Sequence, residues 1–240
     1  MHRWDLSPKE AIALQKELRN EVRLVPLERE PSRIGGCDVS MNRFAKEGFA
    51  GFVTLSFPVL EEINHAAVRS MIPFPYIPGL LSFREIPMLM HAWEALETKP
   101  DVLLVDGIGI AHPRRLGIAT HLGLMLDIPT MGCAKSVLTG TYEEPGNMPG
   151  DWTPLIDPKT KETLGAALRT KKNVTPMFIS PGHRITLQDS IRLAMACVRK
   201  HRLPEPTRLA HTTVNRYRLA ALNSSSEAIP GIQGTHAQED

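Results

Sequence analysis

Four consecutive apolar residues, Val102-Leu103-Leu104-Val105, stand between Asp101 and Asp106. A strand with one wet face alternates apolar and polar side chains, whereas an unbroken apolar run fits a strand buried on both faces. Such a strand lies inside a sheet and needs helices on either side to cover it. The flanking sequence supplies candidates. Ile86, Leu89, Met90, Trp93 and Leu96 have the spacing of an amphipathic helix over 85–97, and Leu116, Ala119, Leu122 and Leu126 predict another over 115–126. The chain of 240 residues is long enough for one substantial core.

The rest of the chain extends this plan. Residues 7–20 read as a surface helix opened by Ser7. Residues 33–41, 49–60 and about 63–70 read as a meander of three strands, with turns at 42–48 and 58–62. Gly35-Gly36 on the first strand leave room for another segment to approach its backbone. Further strands are expected at 129–134, 164–170 and 175–180. Thr186 and Asp189 form a capping box for a helix with core face Leu187, Ile191, Ala194 or Met195, and Val198. A last helix starts near Pro206, a favoured first-turn position. Residues 139–163, rich in Pro, Gly and charge, read as a long surface excursion. From Asn223 onward periodicity is lost, and a disordered tail is expected over 223–240. The predicted architecture is one α/β domain over 1–222, a mixed sheet flanked by helices, with chemistry at the strand ends.

Composition adds exclusions. No run of about 18 apolar residues is present, so no membrane span is expected. The N-terminal MHRWDLSPKE carries charge throughout and lacks the apolar core of a signal peptide, which leaves the cytoplasm as the expected compartment. Cys37, Cys133 and Cys197 are odd in number and far apart, as expected of buried free thiols. A net charge of +2 permits nucleic-acid binding without announcing it.

The candidate chemistry is acidic. Asp106 closes the apolar strand before Gly107, where an acid either caps a turn or faces a site at the strand's end. Asp38 is stranger, because it sits within the strand IGGCDVSM; strand interiors disfavour Asp, and a buried charge needs a partner or a metal. Glu85 at the predicted helix start is explained equally by the helix dipole. Acids meeting from separate elements suit Mg²⁺, which takes oxygen ligands. His112, His183 and His211 each have an arginine close by in sequence, as phosphate-facing residues often do, and each fits an ordinary surface or hydrogen-bonded role equally well. Arg84 could pair with a phosphate or a surface acid, and Lys135 could contact phosphate or simply be exposed. Tyr76, between Pro75 and Pro78 and ahead of Gly79, is either packed under a stiff loop or presented as a ring that enters a base stack. There is no HExxH, no Cys/His zinc spacing and no nucleophile elbow around Ser180.

Read together, these segments resemble the endonuclease V family over about residues 30–215. IGGCDVSM resembles its first-strand motif, PYIPGLLSFRE its most specific block, and VLLVDGIGIAHPRRLGIATHLG its third; PTMGCAKSVL, SPGHRITL and RLPEPTRLAH resemble three more, in the same order. The resemblance implies a ribonuclease H-like fold and hydrolytic cleavage of DNA or RNA one nucleotide beyond inosine on its 3′ side, leaving 3′-hydroxyl and 5′-phosphate ends. It implies Asp38, Glu85 and Asp106 as metal ligands, with Mg²⁺ as the cofactor and Mn²⁺ able to substitute. Tyr76 would be a wedge, Pro78, Gly79 and Leu81 would shape the pocket for the hypoxanthine ring, and Arg84 would stabilise charge. Lys135 and His112 would orient water or phosphate. The fourth position of the family's acidic cluster is Asp or His, and here it is His211; histidine suits Mg²⁺ less well than a hydrogen-bonding role. Cys37 departs from the aliphatic residue usual before the aspartate. A monomer acting in DNA repair is the expectation.

Two other readings compete. A non-catalytic nucleic-acid-binding module would require a broken acid set, and all three acids are present. A metal-dependent phosphatase, or a nuclease of different specificity on this fold, is opposed by the PYIPG block, since a phosphatase has no use for a wedge.

Overall fold

The computed structural model describes residues 2–42 and 45–226. The elements in chain order are α1 (Pro8–Leu18), β1 (Arg33–Ser40), β2 (Glu47–Ser56), β3 (Glu62–Met71), α2 (Leu81–Ala95), β4 (Val102–Val105), α3 (Ile118–Leu126), β5 (Thr130–Ala134), β6 (Trp152–Ile156), β7 (Thr163–Leu168), β8 (Met177–His183), α4 (Leu187–Ala196) and α5 (Glu205–Ser226). They form one eight-stranded mixed sheet in the order β3-β2-β1-β4-β5-β8-β7-β6. β1, β4 and β5 run parallel and the other pairings are antiparallel.

β4 lies inside the sheet between β1 and β5, and all four of its residues are buried. Its side chains divide between two cores. Val102 and Leu104 join Ile34, Val53 and Met131 beneath Leu193, Ala194 and Ala210 of α4 and α5. Leu103 and Val105 join Cys37 and Phe52 beneath Ile86, Leu89, Ile118 and Leu122 of α2 and α3. The mixed sheet with helices on both faces is thus as the apolar run predicts, and each buried leucine contributes about 1.5–3 kcal/mol. All three cysteines are buried and free. No helix among the described residues is long and apolar enough to cross a membrane.

Several expectations need correction. α2 begins at Leu81, four residues earlier than predicted. Its first turn buries Ser82, Phe83 and Arg84, polar at two of three positions, so hydrophobic periodicity starts only at Ile86. α3 begins at Ile118, because Arg115 takes a left-handed φ of 60° in a turn closed on His112. The 139–163 excursion contains β6, an edge strand on β7. The buried Arg169 pins this excursion by donating to Glu144 and to the carbonyls of Pro145 and Gly146. On α4, Thr186 accepts from the Asp189 amide as a cap should. The Asp189 carboxylate, however, is engaged with the Leu27 amide and the Thr186 hydroxyl. The buried face is Ser190, Leu193 and Ala194, with Ile191 and Met195 only partly covered. Finally, α5 runs through Ser226, beyond the expected tail boundary; the remaining tail residues lie outside those described.

α1 is capped by Ser7 through a full capping box with Glu10. It buries Ala11 against Phe74, Leu80 and Phe83. Beside this cluster, His121 of α3 is fully buried, with Nδ1 3.0 Å from the Ser82 hydroxyl and Nε2 2.8 Å from the His2 ring. Burial, followed by the nearby His2, pushes its imidazole down to about 3. The unfolded chain therefore binds a proton here before the folded one does. The stability His121 contributes is complete above about pH 6.5 and is lost as pH falls toward 3. The slope is about 1.4 kcal/mol per pH unit for one proton. His121→Phe is expected to lose that part of the acid sensitivity, so the stability gap between the two proteins shifts in the variant's favour between pH 6.5 and 4. Urea unfolding at a series of pH values measures it; parallel curves would show that His121 does not titrate this way.

Candidate active site

In the parallel pairing of β1 with β4, Cys37 is the partner of Val105. The next residues, Asp38 and Asp106, therefore emerge at the same level of the sheet, on adjacent strands. Both side chains are largely covered, at 13% and 17% exposure. Glu85 reaches the same region from the second turn of α2, too far into the helix for a first-turn dipole role. Burial raises the Asp38 carboxyl, the hydrogen bond from His211 opposes this, and the Asp106 charge adds to it. Burial and then the Asp38 charge lift Glu85 to about 8, with Arg84 opposing and Asp106 assisting. The buried Cys37 thiol is pushed well above its usual range by burial and then by Asp38, Glu85 and Asp106 in turn. One thiol feels all three carboxylates, so the three acids lie in the same neighbourhood.

These acids fit a hard divalent cation by donor chemistry, since all offer oxygen and their mutual repulsion is what a cation would relieve. Among the described residues, however, no three His, Cys, Asp or Glu side chains form a ready coordination shell. The Lys135 ammonium, carried just beyond β5, lies 2.5 Å from Asp106 Oδ2 and supplies positive charge instead. His211 of α5 is 2.8 Å from Asp38 Oδ2 through Nδ1, while its Nε2 is 3.1 Å from the Asn215 amide nitrogen. Asn215 in turn accepts from the Ser40 hydroxyl. An ionised carboxylate cannot donate, so His211 donates from Nδ1 and accepts at Nε2. Both ring nitrogens are occupied, which makes His211 an orienter of Asp38 rather than a ready ligand.

A cavity of about 390 Å³ opens beside the acids. Its lining includes Tyr76, Pro78, Gly79 and Leu81, with Ile108, His112 and Ile118, and it takes in Asp106 and Lys135. Tyr76 is 56% exposed rather than packed under its loop. The loop is held at one atom. Gly79, with φ +78°, presents its carbonyl to three donors: Arg114 Nη2 at 2.7 Å, Gln15 Nε2 at 3.0 Å and His112 Nε2 at 3.1 Å. Gln15 Oε1 accepts from Arg114 Nε, and Gln15 Nε2 also reaches the Leu116 carbonyl.

Two expected roles change. His112 is buried; its Nδ1 accepts from the Arg114 amide, and Nε2 donates to Gly79. Burial and then the Arg114 charge press its pKa down to about 4. It is a neutral brace for the loop rather than a group turned toward water or phosphate. Arg84 is 6% exposed, and its guanidinium donates to the Phe74 carbonyl and Met41 Sδ, bracing the segment before Tyr76 from within. A buried position removes it from contact with a transferring phosphate. His183 pairs with Thr130 at the other end of β5 and approaches Asp127, so it lies at the opposite end of the strands from the acids. Sequence reasoning missed Gln15 and Arg114. The available signal was a glutamine four residues after Ala11, on the buried stripe of α1.

Comparison with known proteins identifies the family and the fold. A family model for endonuclease V matches residues 16–212. The endonuclease V of Roseiflexus sp. (strain RS-1) is 44% identical over 216 residues, covering 90% of this chain and 96% of the relative. The crystal structure of endonuclease V from Streptomyces avermitilis superposes with a TM-score of 0.86 at 38% identity, over 91% of this chain and 96% of that one. The Ciona intestinalis endonuclease V, in complex with a 24mer DNA containing an inosine followed by a ribo-adenosine, gives 0.78 at 27% identity, over 89% and 98%. The fold is the ribonuclease H-like one that the sequence motifs imply.

Proposed function

Because the chain belongs to the endonuclease V family, we propose that it cuts DNA at inosine as a repair nuclease. It hydrolyses the phosphodiester one nucleotide beyond the lesion on its 3′ side, leaving 3′-hydroxyl and 5′-phosphate ends. Inosine-containing RNA is a second substrate, and the protein acts as a monomer. The observation that carries this reading is that Asp106 and Lys135 belong both to the acidic group and to the wall of the cavity. A base seated in the cavity brings its own strand's phosphates against the carboxylates. The Ciona intestinalis relative, solved with an inosine-containing strand, supports it.

Asp38, Glu85 and Asp106 would hold Mg²⁺, or Mn²⁺ in its place, which supplies a water of lowered pKa and neutralises phosphate charge. His211 fixes the Asp38 carboxylate, and Lys135 offers its ammonium where phosphate charge develops. Tyr76 enters the base stack from a loop stiffened by Pro75 and Pro78, at an unstacking cost of a few kcal/mol. That cost is lower at a weakly paired base, which favours the lesion. The Gly79 lock holds the pocket's backbone ready, so little ordering remains to be done on binding.

The test is cleavage of matched end-labelled DNA and RNA strands, with or without one inosine, in Mg²⁺ or chelator. Metal-dependent cutting one nucleotide past inosine is expected. Cutting without regard to inosine, or none by folded protein in Mg²⁺, would overturn the reading.

A further inference from the structure

The turn between β7 and β8 and the connection between α4 and α5 lie side by side at the carboxylate end of the sheet. Thr170 Oγ1 donates to the Arg202 carbonyl at 2.8 Å. Arg202 Nη2 donates to the Pro176 carbonyl at 2.7 Å and reaches the Lys135 carbonyl at 3.4 Å. This juxtaposition brings the segment of Lys171 and Lys172 together with the segment of Lys200 and Arg202, next to Lys135.

The charges here are not neutralised. Several surface arginines elsewhere are paired with acids: Arg23 with Asp127, Arg69 with Glu47, Arg192 with Glu30. The neighbouring acids are already engaged, Glu205 by Arg208 and Glu144 by Arg169. Among the described residues, Lys171, Lys172, Lys200 and Arg202 take part in no ion pair with a carboxylate. Arg199 of the same connection turns away, donating to the carbonyls of Ala196, Val198 and Pro58, the last in the turn after β2 at the other end of β1. Arg202 likewise meets only carbonyls, and its buried Nε has no partner. The Arg202 guanidinium is thus held in place by backbone oxygens between segments that carry three lysines, with no ion pair to a carboxylate among the described residues.

We propose that this surface is the track for the sugar-phosphate backbone of the substrate strand flanking the inosine. The proposal rests on the nuclease reading of the adjoining site. A row of cations from two turns suits a polyanion with repeated charge, and contact through Lys135 makes the row continuous with the cavity edge. A net charge of only +2 conceals it, because acids elsewhere cancel it in the sum.

The test is the salt dependence of affinity for strands with and without inosine. Each phosphate contact contributes a slope of about 0.7 for single strands in log affinity against log salt, and about 0.9 for duplex. K171Q/K172Q/K200Q is expected to reduce the slope by roughly 2 units and to weaken both strands alike, so their affinity ratio stays constant. The charge-preserving K171R/K172R/K200R is expected to restore the slope. R29Q/R192Q removes two charges at the far end of the sheet and is expected to leave it unchanged. An unaltered slope in the glutamine variant, or an equal fall in R29Q/R192Q, overturns the proposal. A wild type that shows no preference for inosine while the slope still falls would sink the inosine reading and leave the track standing.

Discussion

Asp106→Asn is expected to slow strand cleavage by on the order of a thousandfold, the scale lost with one preorganised electrostatic partner, while binding persists. The change is isosteric, so the end of β4 and its two cores should remain intact. It removes one of the three carboxylates around Cys37 and deprives Lys135 of its anionic partner. Binding should survive because a nucleic-acid strand is itself anionic, and deleting a negative charge beside its phosphate reduces repulsion. Measured without metal, affinity for an inosine strand should equal or exceed that of the wild type. Single-turnover cleavage and a gel-shift titration on the same preparation read the two effects. Wild-type cutting by the asparagine variant would mean that the β1 and β4 ends are not where the chemistry occurs.

Gly36→Ala is expected to be among the most damaging conservative changes to the fold. A Cβ on Gly36 would lie 2.0 Å from the Pro206 carbonyl oxygen and 2.2 Å from its carbon. Both obstacles are backbone at the start of α5, so no side chain can swing aside. Overpacking a yielding core costs about 1–3 kcal/mol, and a rigid contact of this kind should exceed 3 kcal/mol. The start of α5 must shift, and His211 with it, so Asp38 should lose its partner as well. Gly35→Ala is the natural comparison, because its Cβ would meet the Pro100 ring at 2.6 Å, ring carbons rather than a main-chain carbonyl and without the closer 2.0 Å approach. Guanidinium unfolding should place Gly36→Ala well below Gly35→Ala; equal losses would show that α5 does not press on β1 as described.

The two glycines illustrate what could be read early. Their sequence position before Asp38 announced a close approach, and the structure supplies α5 as the approaching segment. The apolar run at 102–105 announced a strand covered on both faces, and the parallel register then set Asp38 beside Asp106. Less was legible around Glu85, because the buried face of the first turn of α2 is mostly polar and escapes a search for apolar period. β6 escaped for a similar reason: an edge strand containing Pro154 in a Pro- and Gly-rich stretch looks like a loop.

By itself, the sequence determined the elements with a strong period, the order in which acids occur along the chain, and the motifs that mark the family. These depend on neighbours within a few residues, where helix and strand spacing act directly. Tertiary structure alone decided that Gln15 and Arg114 lock Gly79, that Arg84 and His112 turn inward as braces, and that Arg202 joins the Thr170 segment to Lys135. Those contacts join residues far apart in the chain, and they exist because sheet order and helix packing bring separate loops to one edge. A side chain's chemistry shows what it could do, but its burial and its partners decide which of those things it does.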